Sequence, residues 1–240
     1  MGRQLEARYL IETMERLVRR IEERFPSAML VRTAQAVLET ARQAQERTAR
    51  FSRPILWLRI PIFLLLTFIP VFLIYELWVL DLPFTPGSLG DAISFFQAAV
   101  ESLVFIGIGT LFLMTLEGRF KRRRALEAVH ELRELAHIID MHQLDKDPAY
   151  LLGEGTMTAS SPARTMTAFE LNRYLDYCSE LLALIGKVAA IYGQRIADPV
   201  ALEAVDQVEN LTTGLSRKVW QKLMILDQES DRVRESRRGP

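Results

Sequence analysis

Cysteine is nearly absent: the single Cys178 among 240 residues excludes an internal disulfide and a cysteine metal centre, and it suits a reducing compartment. Set among leucines at helical spacing, it reads as a small buried residue. An excess of either charge is also missing, since 30 Lys and Arg balance 30 Asp and Glu, so no overall field draws the chain toward nucleic acid. There is no glycine-rich phosphate loop, no Gly-x-Ser-x-Gly turn and no Cys/His nucleophile pair, so an enzyme is not expected. Strand-like alternation and internal repeats are lacking too, which makes the class all-α. Lysine is scarce beside arginine, the mark of GC-rich coding DNA and hence of a bacterial source.

What is present is strongly segregated. A chain that is 49% hydrophobic and 25% charged cannot mix the two classes in lipid-facing helices, and here the long apolar runs fall between Pro54 and Leu116 with charges crowded on either side. Ile55 to Leu80 reads ILWLRIPIFLLLTFIPVFLIYELWVL, and Ser94 to Leu116 reads SFFQAAVESLVFIGIGTLFLMTL. About 20 apolar residues cover a hydrocarbon core, so both runs are expected to span a membrane. The first begins too far into the chain, after too many charges, for a signal peptide. Between them Asp81 to Ile93 holds no Lys or Arg, while Arg42, Arg47, Arg50 and Arg53 precede the first run and Arg119, Lys121, Arg122, Arg123 and Arg124 follow the second. Positive residues stay on the cytoplasmic side, which puts the loop outside and both termini in the cytoplasm of a bacterial inner membrane. The same five cations are expected to anchor the topology and to meet anionic lipid.

Pro61 and Pro70 predict a bent first span. Ala98, Ser102 and Gly109 form a small-residue stripe suited to close helix packing, against the first span or a second copy. Charges in the spans are costly and therefore informative. Glu101 and Glu76 fall at similar depth in an antiparallel hairpin, whereas Arg59 sits near the cytoplasmic end and is expected to snorkel to headgroups.

Outside residues 54–117 the chain reads as amphipathic helices. In residues 1–53, Leu10, Met14, Leu17, Ile21 and Phe25 make one apolar face that Pro26 ends, and a second helix carries Ala34, Val37, Leu38 and Ala41. Residues 118–229 hold three more. One is continuous with the second span to Leu144, with Leu126, Val129, Leu132, Ala136 and Ile139 inward. The next opens with a capping box from Thr167 to Glu170 and buries Leu171, Leu175, Cys178, Leu182 and Ile185. The last starts at Asp198-Pro199 and carries Leu202, Val205, Val208, Leu211, Leu215, Val219, Leu223 and Leu226, near a coiled-coil repeat that Thr212 to Gly214 interrupts. A mobile loop is expected over 147–166 and a disordered tail over 230–240. Such helices need partners, so N- and C-terminal helices are expected to form one cytoplasmic bundle beside a two-span hairpin.

All three histidines lie in one stretch, and His130, Glu134 and His137 share a helix face, a spacing that suits a divalent metal, although a di-iron bundle would need a second Glu-x-x-His element that the chain lacks. Asp140, His142, Asp145 and Asp147 read as helix-end caps or cation ligands. No cofactor is expected otherwise. The reading is a membrane-anchored helical scaffold or regulatory protein that associates with itself or with another membrane or cytoplasmic protein, with the lipid bilayer as its other partner. Two alternatives are a small oligomeric cation channel built on Glu101 and Glu76, and a metal sensor or enzyme at His130, Glu134 and His137.

Overall fold

The computed structural model describes residues 7–51, 60, 63–64, 67–68, 71, 75, 89–148, 159, 166–194 and 198–237. They are helical, with no strand among the described residues. The elements with defined bounds are α1 (Ala7–Arg24), α2 (Met29–Phe51), α3 (Leu89–Leu144), α4 (Ala168–Gly193) and α5 (Pro199–Arg237). Two compact units emerge: one holds residues 1–52 and 124–240, the other residues 53–123.

The first unit is a helical bundle whose periodic apolar faces meet in a single core. Leu10, Met14, Leu17 and Ile21 of α1, Ala34, Val37, Leu38 and Ala41 of α2, and Val129, Leu132, Ala136 and Ile139 of α3 are all buried in it. From α4 come Leu171, Leu175, Cys178, Leu182 and Ile185. Pro26 stops α1, and Phe25 turns the corner by packing edge-on against Tyr174 at 5.6 Å and Tyr177 at 6.2 Å. On the outside, exposed ion pairs link Arg20 of α1 to Glu180 of α4 and Arg42 of α2 to Glu15 of α1, each at 2.7 Å. Both pairs are exposed and so contribute little.

The caps foreseen for the last two helices form. The Thr167 hydroxyl accepts from the Glu170 backbone N–H at 3.2 Å while the Glu170 carboxylate accepts from the Thr167 backbone N–H at 2.8 Å, a complete capping box. Asp198 accepts from the backbone N–H groups of Val200 and Ala201, both at 3.1 Å, with Pro199 in the first turn. α4 and α5 then pack together, tightly at Gly186: a Cβ placed there would lie 2.9 Å from the buried Thr212 hydroxyl. The interruption thus places Thr212 in tight contact with α4.

Three expectations need revision. The near-heptad positions Val205, Val208, Leu215, Val219 and Leu226 are buried inside the chain's own bundle and are taken up there, not by a coiled coil. Leu202, read as one of the apolar positions of the last helix, is 42% exposed in the first turn of α5, with only its edge near Gly193. And α5 runs on as helix to Arg237, through residues expected to be disordered, because Arg and Glu are good helix formers and terminal arginines suit the negative end of the helix dipole. The expected mobile loop falls mostly on 149–165, nearly all outside the described residues.

In the second unit, the predicted second span lies within α3, which continues without a break to Leu144 as foreseen. Among the described residues no helix is long and apolar enough to cross a membrane. Most of the predicted first span, including Arg59, Glu76, Pro61 and Pro70, lies outside the described residues.

Candidate functional site

The first candidate is the surface of α3 ahead of its basic cluster. Ile93, Phe96, Val100, Leu103, Val104, Phe105, Ile108, Leu111 and Phe112 are between 44% and 74% exposed. At about 100° per residue they cover more than half of the helix circumference, and Ile93 and Phe112 stand roughly 29 Å apart along the axis. Ile60, Phe63, Leu64, Phe68, Val71 and Tyr75 are helical and exposed at the i, i+3, i+4, i+7 spacing of a single face. Soluble proteins bury such side chains, because each Val, Leu, Ile or Phe moved out of water stabilises by about 1.5–3 kcal/mol.

Polar side chains interrupt this surface. Gln97 and Glu101, one turn apart and both exposed, lie in a shallow groove with Phe96, Val100, Val104 and Phe105. Gly109 is exposed, and a Cβ added there would meet nothing within 4 Å, so among the described residues no helix approaches closely at that point. The side chains of Ala98 and Ser102, the other two members of the stripe, lie outside the described residues. Beyond the apolar stretch, Arg119, Arg122, Arg123 and Arg124 are exposed and Lys121 is half-buried, with the Arg119 guanidinium 5.8 Å over the Phe112 ring.

The histidine stripe does not gather. His130, Glu134 and His137 share one exposed face of α3, and among the described residues no group of three or more His, Cys, Asp or Glu comes together to hold a metal. Their order on a charged, solvated helix face explains the pattern without a ligand.

What the fold assembles instead is a polar junction around the end of α3, where orphan carbonyls need donors. The Lys222 ammonium, from α5, donates to the Gln143 carbonyl at 2.6 Å. Burial lowers the Lys222 pKa, and the nearby carboxylates Asp147, Asp140 and Asp145 oppose that shift. Gln143 is 1% exposed and its amide donates to Asp140 at 2.6 Å, with Lys218 4.0 Å from the same carboxylate. His142 Nε2 lies 3.0 Å from the Thr33 hydroxyl of α2, and burial, then Lys146, lowers its pKa. Lys146 stands 5.7 Å over the Tyr174 ring, whose hydroxyl pKa is raised by burial. Cys178, fully buried nearby, has its thiol pushed up to about 12 by burial, which keeps it protonated and non-nucleophilic at neutral pH. The junction ties α3 to α2 and α5. Sequence spacing pointed to Asp140 and His142 as capping groups, yet nothing in it pointed to Lys218, Lys222 or Thr33, which arrive from distant helices.

A second feature escaped the sequence reading altogether. Trp220 and Met224 of α5 are 62% and 52% exposed, beside a groove between α4 and α5. Their spacing resembles that of the buried α5 residues, and only the α4 partner shows that they face outward.

No protein-family model, no curated protein and no solved structure matches the chain.

Proposed function

We propose that the chain is a membrane-anchored helical scaffold or regulatory protein, held in a cytoplasmic membrane by a two-span hairpin and offering its helical bundle to a protein partner on the cytoplasmic side. The observation that carries the reading is the apolar surface of α3 from Ile93 to Phe112, exposed over more than half its circumference and bordered by Arg119 to Arg124. That length approaches the ~30 Å hydrocarbon core, and lipid is the solvent in which such a surface costs nothing. The long apolar runs of the sequence, broken by no charges but Arg59, Glu76 and Glu101, and the Arg-free loop between them support a hairpin whose tip is outside.

The test is expression in bacteria followed by alkaline carbonate extraction, together with a Ser88→Cys variant probed by an impermeant maleimide on intact cells. The protein should stay in the membrane fraction and Cys at position 88 should label from outside, the native thiol being buried. Release into the carbonate supernatant refutes anchoring, and labelling only after lysis refutes the orientation.

Gln97 and Glu101, placed together in one groove of this apolar surface, favour a second reading: an oligomer in which these groups line a cation path. Glu101→Gln should then abolish cation flux in reconstituted vesicles, and equal flux removes the reading.

A further inference from the structure

Between residues 93 and 112 the covered side of α3 is that of Ile106 and Thr110, the described residues of this stretch that are half-buried. At about 100° per residue, Gln97 and Glu101 lie roughly 140–180° around the helix from both. Neither has a hydrogen bond or ion pair among the described residues. They belong to a longer line: Ser94, Gln97, Glu101, Val104, Ile108, Leu111 and Thr115 follow one another at steps of 3, 4, 3, 4, 3 and 4, and every one is exposed. The Ser94 and Thr115 hydroxyls at its ends are satisfied within the helix, by the Gly90 carbonyl at 3.0 Å and the Phe112 carbonyl at 2.8 Å. Alternating steps of three and four draw one seam along a helix, the pattern by which parallel helices pack knobs into holes.

We infer that this seam pairs α3 with α3 of a second copy of the chain, the Gln97 amide of each copy donating to the Glu101 carboxyl of the other. Copies inserted in one membrane share an orientation, so their α3 helices run parallel about a two-fold axis, and a two-fold contact needs a self-complementary face. A donor and an acceptor one turn apart supply it. They are offset by about 6 Å along the axis, which two long side chains bridge at the ~8–10 Å separation of packed helices. Lipid tails satisfy neither group, whereas a second copy satisfies both at once. Ile108 and Leu111, at the positions where β-branched and leucine side chains favour two strands, limit the assembly to a dimer, and the polar pair fixes its register. The inference rests on the anchor reading above, which sets the copies parallel, and it departs from a cation path because the paired side chains close the centre of the contact.

Membranes from bacteria expressing full-length Val104→Cys, Ile108→Cys or Leu111→Cys protein are oxidised, the native Cys178 being buried. Disulfide-linked dimers are expected at all three positions and not with Gly109→Cys, which is exposed, has room for a Cβ and lies about 100–160° around the helix from them. Cross-linking at Gly109→Cys in place of the seam overturns the inference and assigns the contact to another side of α3. Energy transfer between copies labelled at Ser88→Cys in phosphatidylcholine vesicles then reads the association on dilution with lipid. Gln97→Ala or Glu101→Ala should each weaken it about ten-fold, and the double variant no more than either, because each removes the same two reciprocal bonds. Unchanged association in both single variants, or losses that add in the double variant, overturns the inference. So does a monomer, or a mass of three or more copies by light scattering, the latter favouring the cation path. If carbonate releases the chain, the anchor reading falls by itself. The same cross-linking is then made on the soluble protein, where its presence at the seam sustains the pairing and its absence overturns it.

Discussion

Gly186→Ala should lower stability in the native background and raise it once Thr212 is replaced by alanine. The new methyl would stand 2.9 Å from the Thr212 hydroxyl oxygen and 4.0 Å from its Cβ. Overpacking of a tight contact costs about 1–3 kcal/mol, while exchanging glycine for alanine within a helix gains about 1 kcal/mol. The net effect is a loss of up to about 2 kcal/mol, or a fall in Tm of about 2–4 °C per kcal/mol for a chain of this size. Thr212→Ala removes the clashing oxygen and leaves only ordinary contact. It also leaves the Glu209 carbonyl satisfied, because Thr213 donates to that oxygen at 2.8 Å while Thr212 does so at 3.0 Å. In that background Gly186→Ala should therefore stabilise by about 1 kcal/mol. Thermal unfolding by far-ultraviolet circular dichroism on the four proteins of the double-mutant cycle reads the sign. If Gly186→Ala changes Tm equally in both backgrounds, the close approach of α4 and α5 at this point is refuted.

Cys178 should resist iodoacetamide in the folded protein and react at the rate of a free thiol in denaturant, since burial keeps it protonated and covered; fast labelling under native conditions contradicts the packed core. His142 has a folded pKa below its ordinary 6.5, so the unfolded chain takes up the proton first and stability is lost as pH falls below about 6.5 toward the folded value. His142→Gln should flatten that acid slope in Tm against pH, and an unchanged slope assigns it to other groups. Thr167→Ala should cost about 0.5–2 kcal/mol through loss of the α4 cap. In the same variant Glu170, held below the usual carboxylate range chiefly by the Thr167 backbone N–H and then its hydroxyl, should titrate nearer its ordinary value by NMR.

Most local signals in this chain, though not those of the α5 tail, were read correctly where one helix alone carries them. The Thr167–Glu170 box, the Asp198-Pro199 start and the stop at Pro26 depend on neighbours within four residues, so the sequence contains the whole cause. The inward faces of α1, α2 and α4 follow for a similar reason, since an apolar stripe in water has one stable fate. The i, i+4, i+7 spacing of His130, Glu134 and His137 was equally visible, but a metal set needs ligands from elsewhere, and none of the described residues converge on them. Which helix meets which depended on tertiary packing. Lys222 reaches the end of α3, Thr212 faces Gly186, and Trp220 and Met224 stand exposed at a groove beside α4. Those contacts join residues far apart in the chain, and periodicity tells which face of a helix is apolar without telling what will cover it.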